Sequence, residues 1–497
     1  MRYRCEVLTP LHVGTGQTLI PMEYLADGWF AVVNQEALFR VAPGEAENLT
    51  RQLVALSPEA IQRLSLNQVL PAPLRERQDL YRYQCALSAY VKAQLNRARE
   101  RGQAEVRVIT KTPDDRAYLP GTSLKGALRT ALAYAWARGD AQALAALKRA
   151  PTREKWRAVE GLLRGGTGTD VTRDVLRALE VGDSAAMPAD ECLAVAHEAV
   201  LSAAVRRGAS VRGDAHAAWK GFPTFIETIK PGVVLEGRIV LRDRLLAPPV
   251  SERMEWTPRQ QALSLGEILD AVNLLATDVI AWEERYLGRV TGVDLDPVRR
   301  FYERLSERVR TAGGNEAYLC LGRGAGWHKS TVGLLLEEAQ DFDFARFRRE
   351  GGTAERRGPG FDRTDFEFPK TRKLTMEGGG RPFAPLGWVR VVLPDLPTRP
   401  RVSVESTVAS PTSVAAPPRV QLPAAQRPEG PPDPTVALGP PRRPGPPSPA
   451  ALRPPQPPKT APPPAQPKPS KLSKAAEKAK REQERIRRRY SGEEEPK

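Results

Sequence analysis

The sequence predicts an α+β protein with a ferredoxin-like core, in which strand, helix, strand, strand, helix and strand follow in that order (βαββαβ), with large helical insertions. Three patterns support this prediction: an alternating strand at residues 2–8, an apolar helix face at 120–138, and a second β pattern at 222–242 that two helices and a last strand follow. RNA-recognition folds share this order of elements.

The N-terminal residues predict the first strand and a hairpin. Apolar and charged residues alternate until Pro10 ends the pattern, which is typical of a half-buried strand. Asp27-Gly28 suits the turn of a hairpin that joins residues 22–25 to 29–33. Residues 45–100 are then expected to form polar helix and loop.

The segment 120–138 is the clearest helix. Thr122 or Ser123 is expected to cap it, because a hydroxyl accepts a hydrogen bond from a free N–H of the first turn. A second helical insertion is predicted at 139–215. The apolar face of the helix consists of Leu124, Ala127, Leu128, Ala131, Leu132, Ala135 and Trp136.

The second half of the core is predicted from residue 222 onward. Residues 222–242 read as a hairpin with one exposed face, and Pro231-Gly232 suits the turn. One helix follows, and a second opens at Asp296-Pro297 and ends at Gly313-Gly314. The last strand is expected at 388–393. The first of these helices carries Ile268, Val272, Leu275, Val279 and Trp282 at spacings of three and four.

The composition changes at residue 397, where the folded domain 1–397 is expected to end. Of 47 prolines, 27 lie between Pro394 and Pro496. Residues 398–470 contain no aromatic side chain, and so little apolar surface predicts a disordered Pro-rich linker. Residues 471–497 are a basic, helix-prone tail, which fits either a solvated face or a contact with RNA or an acidic partner.

Charge and cysteine usage narrow the class of protein. The chain has 75 Lys and Arg against 59 Asp and Glu, an excess that permits nucleic-acid binding. The four cysteines lie far apart without C-x-x-C spacing, so we expect no disulfide framework and a reducing, cytoplasmic location. No apolar run approaches the roughly 18 residues of a membrane span, and the N-terminus does not read as a signal peptide.

The start of the 120–138 helix is the first candidate site. A helix N-terminus carries partial positive charge and favours acidic residues, yet this one has Lys125 in its first turn and Arg129 one turn later, beside Gly121, Thr122 and Ser123. An anion such as an RNA phosphate at the helix start would explain the pattern. A plain capped helix with solvated basic residues is the alternative.

The second candidate is the glycine-rich stretch 322–331. It is not a nucleotide-binding P-loop, because His328 stands where that motif needs glycine before Lys329-Ser330. A flexible loop with interleaved cations and rings suits RNA phosphates and stacked bases; a structural connection with a buried Trp327 is the alternative. The candidate residues are Gly322, Arg323, Gly324, Gly326, Trp327, His328 and Lys329.

The third candidate is the loop after the first strand, with His12, Gly14 and Gly16. A lone histidine is more often structural than catalytic, but a strand-end loop is a common ligand site. The four histidines have no metal-site spacing, and no G-x-S-x-G nucleophile motif occurs. Asp114-Asp115 fits either a metal site or a surface turn. No cofactor or metal is expected.

Six motifs taken together resemble the RAMP-superfamily subunits of CRISPR effector complexes, most closely the fifth subunit of the type III-A, Csm-type complex. The resemblance spans about residues 2–393. The motifs are LTPLHVGTG, YLPGTSLKGALRTAL, VLRALEVGDS, FIETIKPGVVLEGRIVL, LGRGAGWHKST and PLGWVRVVL.

The resemblance implies a modified RNA-recognition fold in a ribonucleoprotein built along a CRISPR RNA (crRNA). That subunit caps the crRNA 3′ end and supports its maturation, with other Csm subunits and host ribonucleases as partners. The resemblance further implies that Gly121–Arg129 and Gly322–Lys329 contact the guide, that His12, Gly14 and Gly16 match the N-terminal loop, and that Asp183 has a structural role.

One departure from the family pattern bears on catalysis. Neighbouring backbone subunits cut target RNA with an aspartate after strand one, whereas residues 12–26 here contain none. We therefore expect a non-catalytic RNA-binding subunit. Two alternatives stay open: a metal-dependent endoribonuclease that processes the crRNA through Asp114, Asp115 or His12, and an assembly adaptor that recruits nucleases with little RNA contact.

Overall fold

The structure is a computed structural model that describes residues 1–150, 154–204, 215–337, 339, 341–343, 347, 350, 369–378 and 381–398. The predicted Pro-rich linker, residues 398–470, and the basic tail, residues 471–497, lie outside the described residues, apart from Thr398. Within the described residues, no helix combines the length and apolarity that crossing a membrane requires.

The described residues form strands and helices in an α+β arrangement, as predicted. The strands are β1 (Arg2–Val7), β2 (Gly14–Leu19), β3 (Tyr24–Asp27), β4 (Trp29–Val33), β5 (Tyr81–Leu87), β6 (Val106–Ile109), β7 (Leu179–Val181), β8 (Leu193–Ala204), β9 (Ala215–Trp219), β10 (Thr224–Ile229), β11 (Val234–Leu241), β12 (Val290–Thr291), β13 (Glu316–Cys320), β14 (Thr371–Glu377), β15 (Arg381–Pro385) and β16 (Trp388–Val392). The helices are α1 (Gln35–Val41), α2 (Pro43–Val54), α3 (Pro58–Arg63), α4 (Leu66–Val69), α5 (Ala72–Arg75), α6 (Ala89–Arg99), α7 (Gly121–Arg138), α8 (Ala141–Arg149), α9 (Lys155–Glu160), α10 (Ala189–Cys192), α11 (Asp243–Leu246), α12 (Val250–Arg253), α13 (Pro258–Gln261), α14 (Leu265–Arg289), α15 (Asp296–Arg310), α16 (Gly326–Ser330) and α17 (Gly333–Glu337).

A five-stranded antiparallel sheet forms the core, in the order β13-β16-β1-β11-β7. We number β1, β7, β11 and β16 as strands one to four of the core. Helix α7 follows strand one and α14 follows strand three, so the chain has the βαββαβ order. Within the sheet, strand one lies between strands three and four. This matches the predicted ferredoxin-like order, with β13 added at the edge.

Alternation of residue types explains how the sheet is buried. Tyr3, Cys5 and Val7 of β1 are fully buried, whereas Arg2 and Arg4 are exposed. Successive strand residues point to opposite faces, so the apolar residues face the helices and the charged residues face outward.

Helices α7 and α14 cover the buried face and pack against each other. Tyr134 and Trp136 of α7 donate hydrogen bonds to Asp278 and Glu267 of α14, at 2.7 and 2.9 Å. Asn273 of α14 bonds the backbone of edge strand β13, donating to the Glu316 carbonyl at 2.8 Å and accepting from the Tyr318 N–H at 3.0 Å. The helix pair and the sheet are thus held together by buried polar contacts as well as apolar packing.

The second strand of the core differs from the prediction. The 222–242 segment contains two strands, but β10 joins another sheet and only β11 lies beside β1. The place of strand two is taken by β7, a three-residue strand in a region predicted as helix. The physical reason is that β10 finds its partners in the long strand β8 and in β6 rather than in its neighbour along the chain.

The second sheet contains the order β2-β6-β10-β8-β5-β4-β3, with β9, β12, β14 and β15 attached. The predicted hairpin around Asp27-Gly28 is confirmed, since β3 and β4 pair and Gly28 has a positive φ of 77°. The predicted helical insertions 45–100 and 139–215 contain β5, β7 and β8 as well as helices, so they are not purely helical.

Candidate nucleic-acid interface

The N-terminal loop and the 322–330 segment, two of the predicted sites, lie against each other. The Arg323 N–H donates to the His12 carbonyl at 2.9 Å. Gly322 has a φ of 63°, and a Cβ atom there would overlap the same carbonyl oxygen. Glycine is therefore required at this contact for both its backbone conformation and its lack of a side chain.

The 322–330 segment is a short turn followed by helix α16, not the flexible loop that its glycines predict. A 3-10 turn covers Gly322–Gly324. Arg323 forms a two-pronged ion pair with Glu198, at 2.5 and 2.8 Å, and the Glu198 side chain is almost fully buried. Such a bidentate contact fixes the guanidinium in one orientation and stabilises the turn.

Glu283 anchors the end of the segment. It accepts hydrogen bonds from Lys329 at 2.9 Å and from Arg372 at 2.6 Å, and none of the three side chains is more than 11% exposed. Burial raises the pKa of the Glu283 carboxyl, but the two cations outweigh this effect and lower the pKa to about 2. Lys329, one of the predicted RNA-binding residues, therefore already has a carboxylate partner.

The two rings of the segment also face protein. His328 is buried 4.0 Å from the Trp282 ring and hydrogen-bonds the Glu337 carboxylate at 2.5 Å. Burial lowers the pKa of His328 to about 2. The Trp327 ring lies 5.9 Å from that of Phe347. These contacts favour a structural role for the two rings, the alternative to base stacking that the sequence analysis gave.

His12 has a structural position as well. It is buried, and its Nδ1–H donates to the Glu227 carbonyl at 2.8 Å. Burial lowers the pKa of the imidazole, so it is neutral at pH 7. Beyond it, Gly14 and Gly16 lie on β2, whose residues 14–18 are exposed at the edge of the second sheet.

Two cations that the sequence analysis missed lie on other strands of the second sheet. Arg107 lies opposite Thr18 on β6, and Lys373 lies on β14; both are exposed. Partial burial of its amine lowers the pKa of Lys373, and the positive charges of Arg323 and Arg107 lower it further, against an opposing effect of Glu198. Among the described residues neither Arg107 nor Lys373 has an ion-pair partner. We call β2, Arg107, Arg323 and Lys373 the basic strip.

The start of α7, the other predicted site, is separate from the strip. The Gly121 N–H donates to the Asp183 carboxylate at 2.7 Å, and no side chain of the helix caps it. The predicted caps Thr122 and Ser123 are therefore wrong: both lie inside the first turn. The helix start does hold an anion, but that anion belongs to the protein itself.

Lys125 and Arg129 face partners within the chain. Lys125 Nζ donates to the Leu179 carbonyl at 2.7 Å, and Arg129 pairs with Asp174 and Glu160. A Cβ atom at Gly121 would overlap the Val181 carbonyl, so the helix start packs directly on β7. These residues fasten α7 to the second strand of the core.

The proposed carboxylate pair does not converge on a metal site. Asp115 is bound by Arg82 through two hydrogen bonds of 2.7 and 2.9 Å, while Asp114 is exposed. In the part of the chain that the structure describes, no three His, Cys, Asp or Glu side chains are grouped so that they could hold a metal ion.

A sequence model of the RAMP superfamily matches residues 4–249. The chain belongs to the RAMP superfamily. The match contains residues 4–7 of β1, the N-terminal loop, Arg107, the start of α7 and β11. The 322–330 segment and Lys373 lie beyond it.

Two solved structures are similar to this chain. A chain of the Csm–crRNA–target RNA ternary complex of a type III-A CRISPR-Cas system, solved by cryo-EM, is 24% identical, with a TM-score of 0.53 over 79% of this chain and 100% of that chain. The crystal structure of Csm5 from T. onnurineus is 20% identical, with a TM-score of 0.48 over 78% of this chain and 100% of that chain. No curated protein sequence matches the chain.

Proposed function

We propose that this RAMP protein is an RNA-binding subunit of a type III-A CRISPR ribonucleoprotein, which holds the crRNA, caps its 3′ end and supports its maturation without cutting RNA. Its partners are the crRNA, the other Csm subunits and the host ribonucleases that trim the guide. Family membership supports the proposal, as does the likeness in fold to a chain of a complex that contains a crRNA.

The basic strip is the observation that carries this proposal. Arg107 and Lys373 are exposed beside Arg323 and have no ion-pair partner among the described residues, and the charges of Arg107 and Arg323 oppose that of Lys373. A phosphate between them would relieve that repulsion and release counterions into solution. The exposed strand β2 offers two glycines without side chains, which lets a sugar-phosphate chain approach the backbone.

The predicted residues of the N-terminal loop and the 322–330 segment divide into two groups in this proposal. Gly14, Gly16, Gly322 and Gly326 are exposed and present backbone to the RNA. A supporting group lies beneath and holds the turn in place: His12, Arg323, Gly324, Trp327, His328 and Lys329.

The start of α7 is proposed as a second contact. Thr122 is exposed and Ser123 half-buried in the first turn, where the positive end of the helix dipole favours a phosphate. A phosphate there has to share the helix start with Asp183, and Lys125 and Arg129 have to turn from their present partners to reach it.

Binding of a single-stranded guide RNA to the purified protein tests the strip. The double substitution Arg107→Ala and Lys373→Ala should weaken binding at least tenfold at physiological salt and reduce the slope of log K against log salt by about 1.4, since each lost phosphate contact on a single strand accounts for about 0.7. Arg51→Ala, an exposed arginine of α2, is the control. Equal affinities for both proteins would contradict the proposal.

The non-catalytic part has its own test. Incubation of precursor crRNA with the nuclease-free purified protein and Mg²⁺ or Mn²⁺ should leave the RNA intact. Cleavage that Asp114→Asn or Asp115→Asn abolishes would replace this part of the proposal with the endoribonuclease.

A further inference from the structure

A polar cavity lies where β2 ends. Its volume is about 250 Å³, and it is bounded by β3, α4 and α6. Small-molecule pockets commonly have about 300–1,000 Å³, so this cavity has room for one small ligand rather than several. The lining residues that matter for its chemistry are Asn67, Gln68, Lys92, Asn96 and Arg99.

The amide side chains in the cavity wall are oriented by backbone contacts. Asn67 Oδ1 accepts from the Ala26 N–H at 3.3 Å, and Gln68 Oε1 accepts from the Ser65 N–H at 3.1 Å. A backbone N–H only donates, so these contacts assign the amide oxygens and leave the NH₂ groups as donors. For those NH₂ groups we find no partner within the described ranges.

The charged groups of the cavity are mainly cationic. Lys92 Nζ donates to Asp27 at 2.6 Å, and the lysine lowers the pKa of that carboxyl. Arg99 is half-buried and has no ion-pair partner among the described residues. The wall is therefore rich in donors, and it suits a ligand rich in acceptors, such as a phosphate joined to a nucleobase.

The cavity continues the basic strip. Along β2, Thr18 pairs with Arg107 and Leu19 pairs with Val106, and Pro21 already belongs to the cavity wall. The segment 92–107 carries five basic and two acidic residues. An RNA strand that follows β2 from the N-terminal loop thus arrives at the cavity.

We propose that this cavity binds the terminal nucleotide of single-stranded RNA, with Lys92 and Arg99 on a phosphate and the amides of Asn67 and Gln68 on the base. The inference rests on the proposed function, which makes that nucleotide the 3′ end of the crRNA. The cavity would then give the protein a means to recognise an RNA end rather than an internal stretch.

Binding of open and circular forms of one RNA tests this inference. A single-stranded oligonucleotide is compared with the same sequence ligated into a circle, using the full-length wild-type protein and Arg99→Ala. We expect the wild type to bind the open RNA about tenfold more tightly than the circle, and Arg99→Ala to lose that preference without a change for the circle. The control is Arg97→Ala, on the same helix but outside the cavity wall.

Two further experiments identify which end of the RNA is bound and whether the cavity binds RNA or free nucleotides. A bulky biotin on the 3′ end should remove the preference, whereas the same group on the 5′ end should not. AMP and UMP at millimolar concentration should not displace the open RNA, because they lack the contacts along the strip; displacement would mean that the cavity binds free nucleotides instead.

The two proposals fail in different ways. Equal binding of open and circular RNA, or equal effects of Arg97→Ala and Arg99→Ala, would overturn the cavity and leave RNA binding by the strip intact. No binding of either RNA would overturn both. Thermal melting of Arg99→Ala should match the wild type, since the side chain has no ion pair to lose.

Discussion

Replacing Glu283 with alanine should destabilise the protein by about 3–5 kcal/mol, because it leaves two buried cations without their carboxylate. The Lys329 and Arg372 side chains are only 11% and 10% exposed, so water cannot replace the lost oxygens. The loss should be large because the same carboxylate joins α14, α16 and β14.

The pKa of Glu283 leads to a similar magnitude. The shift from 4.5 to about 2 corresponds to about 3 kcal/mol, at 1.36 kcal/mol per pH unit. Because the folded-state pKa is lowered, this stabilisation is complete above about pH 4.5 and is lost as the pH falls towards 2. The difference between wild type and Glu283→Ala should therefore shrink over that window.

Urea denaturation followed by tryptophan fluorescence measures both effects, provided that the slope of the transition is unchanged. Glu303→Ala, at an exposed position of α15, is the control and should change the free energy of unfolding by less than about 0.5 kcal/mol. A loss below about 1 kcal/mol for Glu283→Ala, or a loss that is constant from pH 7 to pH 3, would refute the reasoning.

Three further substitutions test the contacts that position the site, each by thermal melting and urea denaturation. Gly322→Ala should lower the free energy of unfolding by about 1–3 kcal/mol because alanine is strained at a positive φ, and by more because its Cβ atom would overlap a carbonyl. Gly44→Ala, in open space on α2, is the control. Asp183→Ala should cost about 1 kcal/mol, because the Gly121 N–H loses its acceptor. Asn273→Ala should cost about 2–3 kcal/mol, because it leaves two backbone groups of β13 without their partners.

Each of these three has a contradicting result. A Gly322→Ala protein as stable as Gly44→Ala would show that the turn can move away from the N-terminal loop. Unchanged melting of Asp183→Ala would mean that water replaces the carboxylate at the helix start. Asn273→Ala without effect would mean that β13 does not depend on α14.

Much of the core was predictable because its elements carry a strong period. The alternation in β1, the apolar face of α7 and the three-four spacing in α14 each predict the element and its buried face. These patterns are local, and burial of one face is sufficient to produce them.

The second strand and the contents of the insertions were not predictable in the same way. Strand β7 has three residues, too few to show a period, and it is stabilised by its pairing with β11 about sixty residues later. Strand β10 looks like the partner of β11, but it pairs with β8 and β6. Such pairings are decided by which backbones meet, and no local pattern encodes that.

For the candidate interface too, the local motifs were predictable but the contacts between distant residues were not. Glycine and cation motifs marked the N-terminal loop, the start of α7 and the 322–330 segment, but whether a cation is free depends on its neighbours. Lys125, Arg129 and Lys329 turned out to be engaged within the chain. The alternation in VRVI, which puts Arg107 on the exposed side of a strand, was the one signal that could have pointed to the strip.

The amino-acid order alone determined the α+β class, the buried faces of the main helices and strands, and the family, because these depend on residue types at fixed short spacings. The tertiary structure decided which charges are neutralised and which remain exposed, because ion pairs such as Arg323 with Glu198 join residues 125 positions apart. Electrostatic attraction acts through space, so the surface open to an RNA strand emerges only when the chain has folded.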